Sequence, residues 1–217
     1  MLTDFLERFW LEPGLRRSID KLYEIVVYSI FSSIIEAIDL KIDAYINKSK
    51  LKLLNDFNGF SSKILGFSEN QTKITISGKI NRVGVTNAAD RGLDMWSNFG
   101  LTIQVKHLSL TEDLAETIVN SVSSDRIILV CKSSEESVLL SVLNQIGWKS
   151  KIQSIVTESE LIKWYETALR GKYSNMIADK LLQKIYNEIL VEFPTTNSNE
   201  FNSFLEVRGY KSNITDF

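Results

Sequence analysis

The chain has 217 residues, of which 44% are hydrophobic, and carries a formal net charge of −2. That length suits one domain, or one domain with a helical appendage, and the charge excludes a generic polycation that clings to nucleic acid. A single cysteine, Cys131, excludes an internal disulfide framework and fits a reducing cytoplasm.

The opening Met1-Leu2-Thr3-Asp4 lacks the pattern of a cleavable signal, and Pro13-Gly14 breaks the first segment. Leu22, Ile25, Val26, Ile30, Ile34 and Ile38 recur at helical spacing and predict a helix over 15–47, interrupted near Asp39-Leu40. The apolar run Ile25 to Ile35 is short and bounded by Glu24 and Glu36, so it reads as a buried helix rather than a membrane span. Helical turns come next over 51–65, weakened by Gly59, and strands are expected over 73–79 and 82–86. Thr111 N-caps a helix that begins with Glu112 and Asp113. The continuous apolar run Ile127 to Cys131 predicts a strand buried on both faces. A helix capped by Ser134 through Ile146, a strand over 151–156, a helix over 158–169 and a long helix over 173–192 complete the order. Alternating strands and helices after a hairpin imply an α/β fold with a mixed β-sheet flanked by helices. The expected organisation is one domain, with an N-terminal helical part over 1–70, an α/β core over 71–170 and a C-terminal helical part over 171–217.

The segment from Asp90 to Lys106 carries the chemistry. A three-residue loop, Asn98-Phe99-Gly100, pairs Ser97 with Leu101, Trp96 with Thr102 and Asp94 with Gln104. Gly100 tolerates the left-handed conformation such a loop demands. One face then carries Leu93, Met95, Leu101, Ile103 and Val105. The other carries Asp94, Trp96, Thr102, Gln104 and Lys106. A four-residue loop would set Asp94 against Ile103 and scatter the trio. Asp94, Gln104 and Lys106 together suit phosphodiester hydrolysis with a hard cation, Mg²⁺ with Mn²⁺ as substitute. Asp94 supplies an anionic oxygen, Gln104 and the Val105 carbonyl supply neutral ones, and Lys106 acts on the water and the developing charge. His107 is the one histidine and reads as a packed residue on the opposite face. One histidine and one cysteine make no zinc site.

This pattern resembles the PD-(D/E)XK nuclease superfamily in its QXK variant. The resemblance sets Asp94 at the family acid, Gln104 at the second acidic position and Lys106 at the lysine, with Leu93 in place of proline. A narrower resemblance, to HaeII-type type II restriction endonucleases, rests on Arg82 to Trp96 and on Gln104-Val105-Lys106-His107-Leu108-Ser109-Leu110, and extends over about 22–169. It implies a restriction-endonuclease-like core, a double-stranded DNA substrate and an extra acid, for which Glu36, on the preceding helix, or Asp90 is the candidate. Arg82, Asn87 and Arg91, just before the Asp94 strand, are candidates for DNA contacts or for hydrogen bonds that stabilise the loop. Palindromic DNA presents equivalent half-sites, so a homodimer is expected. The alternatives are a less specific or methylation-dependent nuclease of the same fold, and a catalytically inactive DNA-binding module. The lysines at 41, 48, 50 and 52 read as a solvated face.

Overall fold

A computed structural model describes residues 18–83, 93–122, 124, 126–135, 138 and 151–193. Helix α1 (Ile19–Ala37) buries Leu22, Tyr23, Ile25, Val26, Val27 and Ile30 completely. It stops at the interruption expected near Asp39-Leu40, but the helix does not resume. Asp39 turns the chain with a φ of 49°, a conformation that aspartate tolerates better than most residues. The next element is strand β1 (Lys41–Tyr45), not more helix. Helix α2 (Leu51–Asp56) and irregular helical turns over 58–65 come after it, and Gly66 ends them at a φ of 72°. Strand β2 (Lys73–Ser77) then pairs antiparallel with β1, Lys41 opposite Ser77 and Tyr45 opposite Lys73.

The main sheet has five strands: β3 (Ile80–Arg82), β4 (Met95–Ser97), β5 (Thr102–Leu110), β6 (Ile127–Ser134) and β7 (Ile152–Thr157). They lie in that order, antiparallel from β3 to β5 and parallel from β5 to β7. Helix α3 (Glu112–Ser121) connects β5 to β6, and the Thr111 hydroxyl accepts from the Leu114 N–H as expected. Helix α4 (Glu158–Arg170) starts in a capping box in which Glu160 reaches back to Thr157. Helix α5 (Ser174–Glu192) closes the described chain. The helix expected from Ser134 falls almost wholly outside the described residues, and Ser134 itself ends β6.

Side-chain alternation sorts the core into two layers. Met95, Ile103, Val105, Val130 and Val156 join α1, α4 and α5 on one face. Ile127, Leu129, Cys131 and Ile152 join α3 on the other. The β6 run is thus buried on both faces, and the α/β sandwich with a mixed sheet is as the sequence implies. Among the described residues, no helix is long and apolar enough to cross a membrane.

Candidate active site

The hairpin has the predicted odd loop. Met95 lies opposite Ile103 and Trp96 opposite Thr102, the Ser97 N–H donates to Leu101 O at 2.9 Å, and Gly100 has a φ of 88°. Continued by one residue, that register sets Asp94 against Gln104. The next pair would be Leu93 with Val105, but the strands part there, and the Val105 N–H donates to Asp94 Oδ2 at 2.7 Å. Asp94 therefore caps the backbone donor that the splayed hairpin leaves open. Its own carbonyl accepts from the Val83 N–H at 2.9 Å, which fixes the residue to β3 as well.

Gln104 is 2% exposed, and its Nε2 has no hydrogen-bond partner. A buried amide without a partner is unfavourable by about 1–3 kcal/mol. A half-turn about the last side-chain bond exchanges its nitrogen and oxygen, so the same place can present a carbonyl oxygen to a cation. The Val105 carbonyl lies on the strand edge that faces Asp94, because a residue's N–H and C=O point to the same side of a strand. One carboxylate with two neutral oxygens fits a hard divalent ion that keeps several waters. Among the described residues, no three His, Cys, Asp or Glu side chains converge into a richer cage. Asp90 lies outside the described residues.

Burial lifts the Asp94 carboxyl above its ordinary range, opposed by the Val105 N–H, Lys106 and Lys21. Lys21 is on α1, as is Glu24, which is 4% exposed and bonded to Lys21 at 2.8 Å. Burial also raises the Glu24 carboxyl, against the pull of Lys21 and Arg82, and Asp94 adds to the rise. The acid that α1 brings toward Asp94 is thus Glu24.

Glu36 does not reach the site. It stands twelve residues farther along α1, about 18 Å at roughly 1.5 Å per residue. There it accepts from Lys184 and Ser32, and although burial opposes the shift, those partners hold its carboxyl below the ordinary range. Glu24 could be sensed in the sequence as a charge inside an apolar helix face, but nothing local ranked it over Glu36.

Of the two roles open to Arg82, the structure shows the stabilising one. Its side chain is 5% exposed and donates to Glu188 at 2.9 Å, Glu192 at 2.7 Å and Glu24 at 3.3 Å. Burial opposes its charge, but the carboxylates of Glu192 and Glu188 prevail and raise its pKa. Asn87 and Arg91 lie outside the described residues. His107 packs its ring 4.8 Å from Tyr23 and stands 3.8 Å from Glu158, too far for a hydrogen bond. Burial lowers its pKa, in keeping with a packed neutral imidazole.

A carboxyl whose pKa is higher folded than unfolded favours the fold while it is protonated in both states. That advantage is lost as pH rises through the folded value. Ionised Asp94 therefore weakens the fold at neutral pH. Asp94→Asn keeps an oxygen for the Val105 N–H and removes the charge. We expect the variant to melt higher than the parent at pH 7, with the gap closing as pH falls to the ordinary carboxylate range. A lower melting temperature at pH 7, measured by scanning calorimetry, would make Asp94 a structural residue instead.

Residues 1–210 match the family model described as HaeII restriction endonuclease. The chain is 59% identical to the Type II restriction enzyme HaeII of Haemophilus aegyptius over 209 residues, which are 96% of this chain and 59% of that protein. It is 55% identical to the Type II restriction enzyme NgoBI of Neisseria gonorrhoeae over 217 residues, all of this chain and 61% of that protein. The chain thus spans about three-fifths of the length of the curated relatives it matches. No solved structure matches it. The Asp94 hairpin and its surrounding sheet lie inside a family match that runs nearly end to end, and the chain belongs to the HaeII restriction endonuclease family.

Proposed function

We propose that the chain carries the catalytic centre of a sequence-specific type II restriction endonuclease that cleaves double-stranded DNA with a divalent ion, of the PD-(D/E)XK kind. The observation that supports this reading best is the hairpin register, which carries Asp94 toward Gln104 and Val105 of β5, with Lys106 two residues beyond Gln104 in the same strand. The names of the two relatives agree with it. Mg²⁺ is the proposed ion, with Mn²⁺ as substitute, and the enzyme is proposed to act in the cytoplasm as a homodimer on palindromic sites.

Asp94, Gln104 and Val105 would hold the ion. When bound, it would polarise the phosphoryl group and favour ionisation of water. Asp94 stays fixed by its two backbone bonds, so its free oxygen is aimed before substrate arrives. Lys106 orients the attacking water and offsets the charge that grows on the phosphate oxygens. Gln104 contributes no charge, so the site carries one negative charge fewer than a pair of carboxylates would.

The test is a plasmid digest. Discrete fragments with Mg²⁺ or Mn²⁺, and none after chelation, are the expected result. Smeared products would favour a nuclease without strict sequence choice. Undiminished cleavage after exhaustive metal removal would defeat the mechanism.

A further inference from the structure

Residues 38–79 form an arm that leaves the core after α1 and returns at β3. Strands β1 and β2 pair with each other in a sheet of their own, and four of five residues in each are exposed. The helical turns between them make the tip, where Leu54, Ser61 and Phe67 are buried and most other residues face solvent. The base is narrow. The Gly78 N–H donates to Leu40 O at 2.7 Å, and a Cβ on Gly78 would meet the Leu40 side chain at 2.6 Å. Asn98, in the turn of the Asp94 hairpin, locks the base on its other side. Its Oδ1 accepts from the Lys79 N–H and its Nδ2 donates to Ser77 O, both at 2.8 Å.

The charge of the arm opposes that of the chain. Residues 38–79 hold seven lysines against four acids, whereas the whole chain is net −2. Lys41 and Lys73 pair with Asp39 and Asp43 at the ribbon. Lys48, Lys50, Lys52 and Lys63 at the tip are exposed and have no ion pair among the described residues. Beside them Phe57 and Phe60 are 59% and 55% exposed. Cations interleaved with bare aromatic rings suit a polyanion whose sugars and bases offer apolar contact. Two arms stacked on one another would instead bring like charges together.

We propose that this arm grips the DNA duplex, with Lys48, Lys50, Lys52 and Lys63 on phosphates and Phe57 and Phe60 against sugar and base edges. The proposal rests on the nuclease reading and names the part of the chain that holds its substrate. Asn98 joins the arm to the hairpin whose other end is Asp94, four residues away and about 13 Å at roughly 3.3 Å per residue, within reach of one bound duplex.

The experiment measures binding of a labelled random-sequence duplex of about 30 base pairs, in chelator, across a salt series. It compares the full chain with K48Q/K50Q/K52Q/K63Q and with K151Q/K163Q/K172Q/K180Q, which removes the same charge elsewhere. Circular dichroism and melting confirm that the fold is kept. We expect the arm variant to bind at least about tenfold more weakly at 0.1 M salt, with a log–log salt slope shallower by about 3–4, near 0.9 for each phosphate no longer neutralised. The distal variant should stay close to the parent. An arm variant that keeps the parent's affinity and slope overturns the proposal. So does one that shifts sedimentation while each copy still binds DNA as before, which would assign the arm to self-association, and so does a parent chain that binds no duplex. Parent chain that binds through the arm but cuts nothing with Mg²⁺ or Mn²⁺ would sink the nuclease reading and leave the arm standing. Cleavage with arm-independent binding would do the reverse.

Discussion

Lys106→Ala is expected to lower single-turnover cleavage by at least about 100- to 1000-fold, the range found when one preorganised donor to a transition state is removed. DNA binding should change little, because one lysine is a small part of the phosphate contacts of a duplex-binding surface. The expectation comes from position. Lys106 is two residues from Gln104 on the same face of β5, and its charge acts on the Asp94 carboxyl. Excess enzyme with saturating metal separates the chemical step from binding and release. Cleavage at the parent rate would remove Lys106 from the mechanism and reduce the Asp94–Gln104–Lys106 pattern to coincidence. Loss of binding in parallel with loss of cleavage would make it a grip on DNA instead.

Arg82→Met should be the most damaging change to the fold among the residues discussed. It leaves Glu24, Glu188 and Glu192 facing one another with their shared cation gone. Breaking a buried ion pair from one side destabilises by about 3–5 kcal/mol, which at this size lowers the melting temperature by roughly 10 °C. Adding Glu24→Gln, Glu188→Gln and Glu192→Gln to that variant should recover part of the loss, because the stranded charges are then gone. Chemical denaturation of the variants measures both effects. A melting temperature within about 2 °C of the parent would mean that the three carboxylates find water without Arg82.

Legibility in the sequence tracks the range of the interactions. The hairpin can be read because its signals are local: strict alternation, a glycine where the turn needs a positive φ, and a polarity split that one register satisfies. The capped helix after Thr111 and the β6 run can be read for the same reason. The break near Asp39 can be read too, but not the strand beyond it, since Ile38, Ile42 and Ile46 continue the helical rhythm where β1 forms. The role of Arg82 stays open in the sequence because its partners lie 58, 106 and 110 residues away. A loop-flanking arginine looks the same whether it meets phosphate or carboxylate. The choice between Glu24 and Glu36 needs the path of α5. Lys184 on that helix takes Glu36, while Glu188 and Glu192, at four-residue intervals on the same side, meet Arg82 beside Glu24.

That last arrangement bears on autonomy. Glu188 and Glu192 sit in the closing turns of α5, where the helix dipole disfavours acids. Their placement is favourable because Arg82 stands opposite. A polypeptide ending before α5 would keep Arg82 buried with one carboxylate, and the severed helix would carry acids at its unfavourable end. Neither piece is a module. Through Arg82, α1, the five-stranded sheet and α5 thus stand or fall as one unit, and a change of sequence in one of them is felt in the other two.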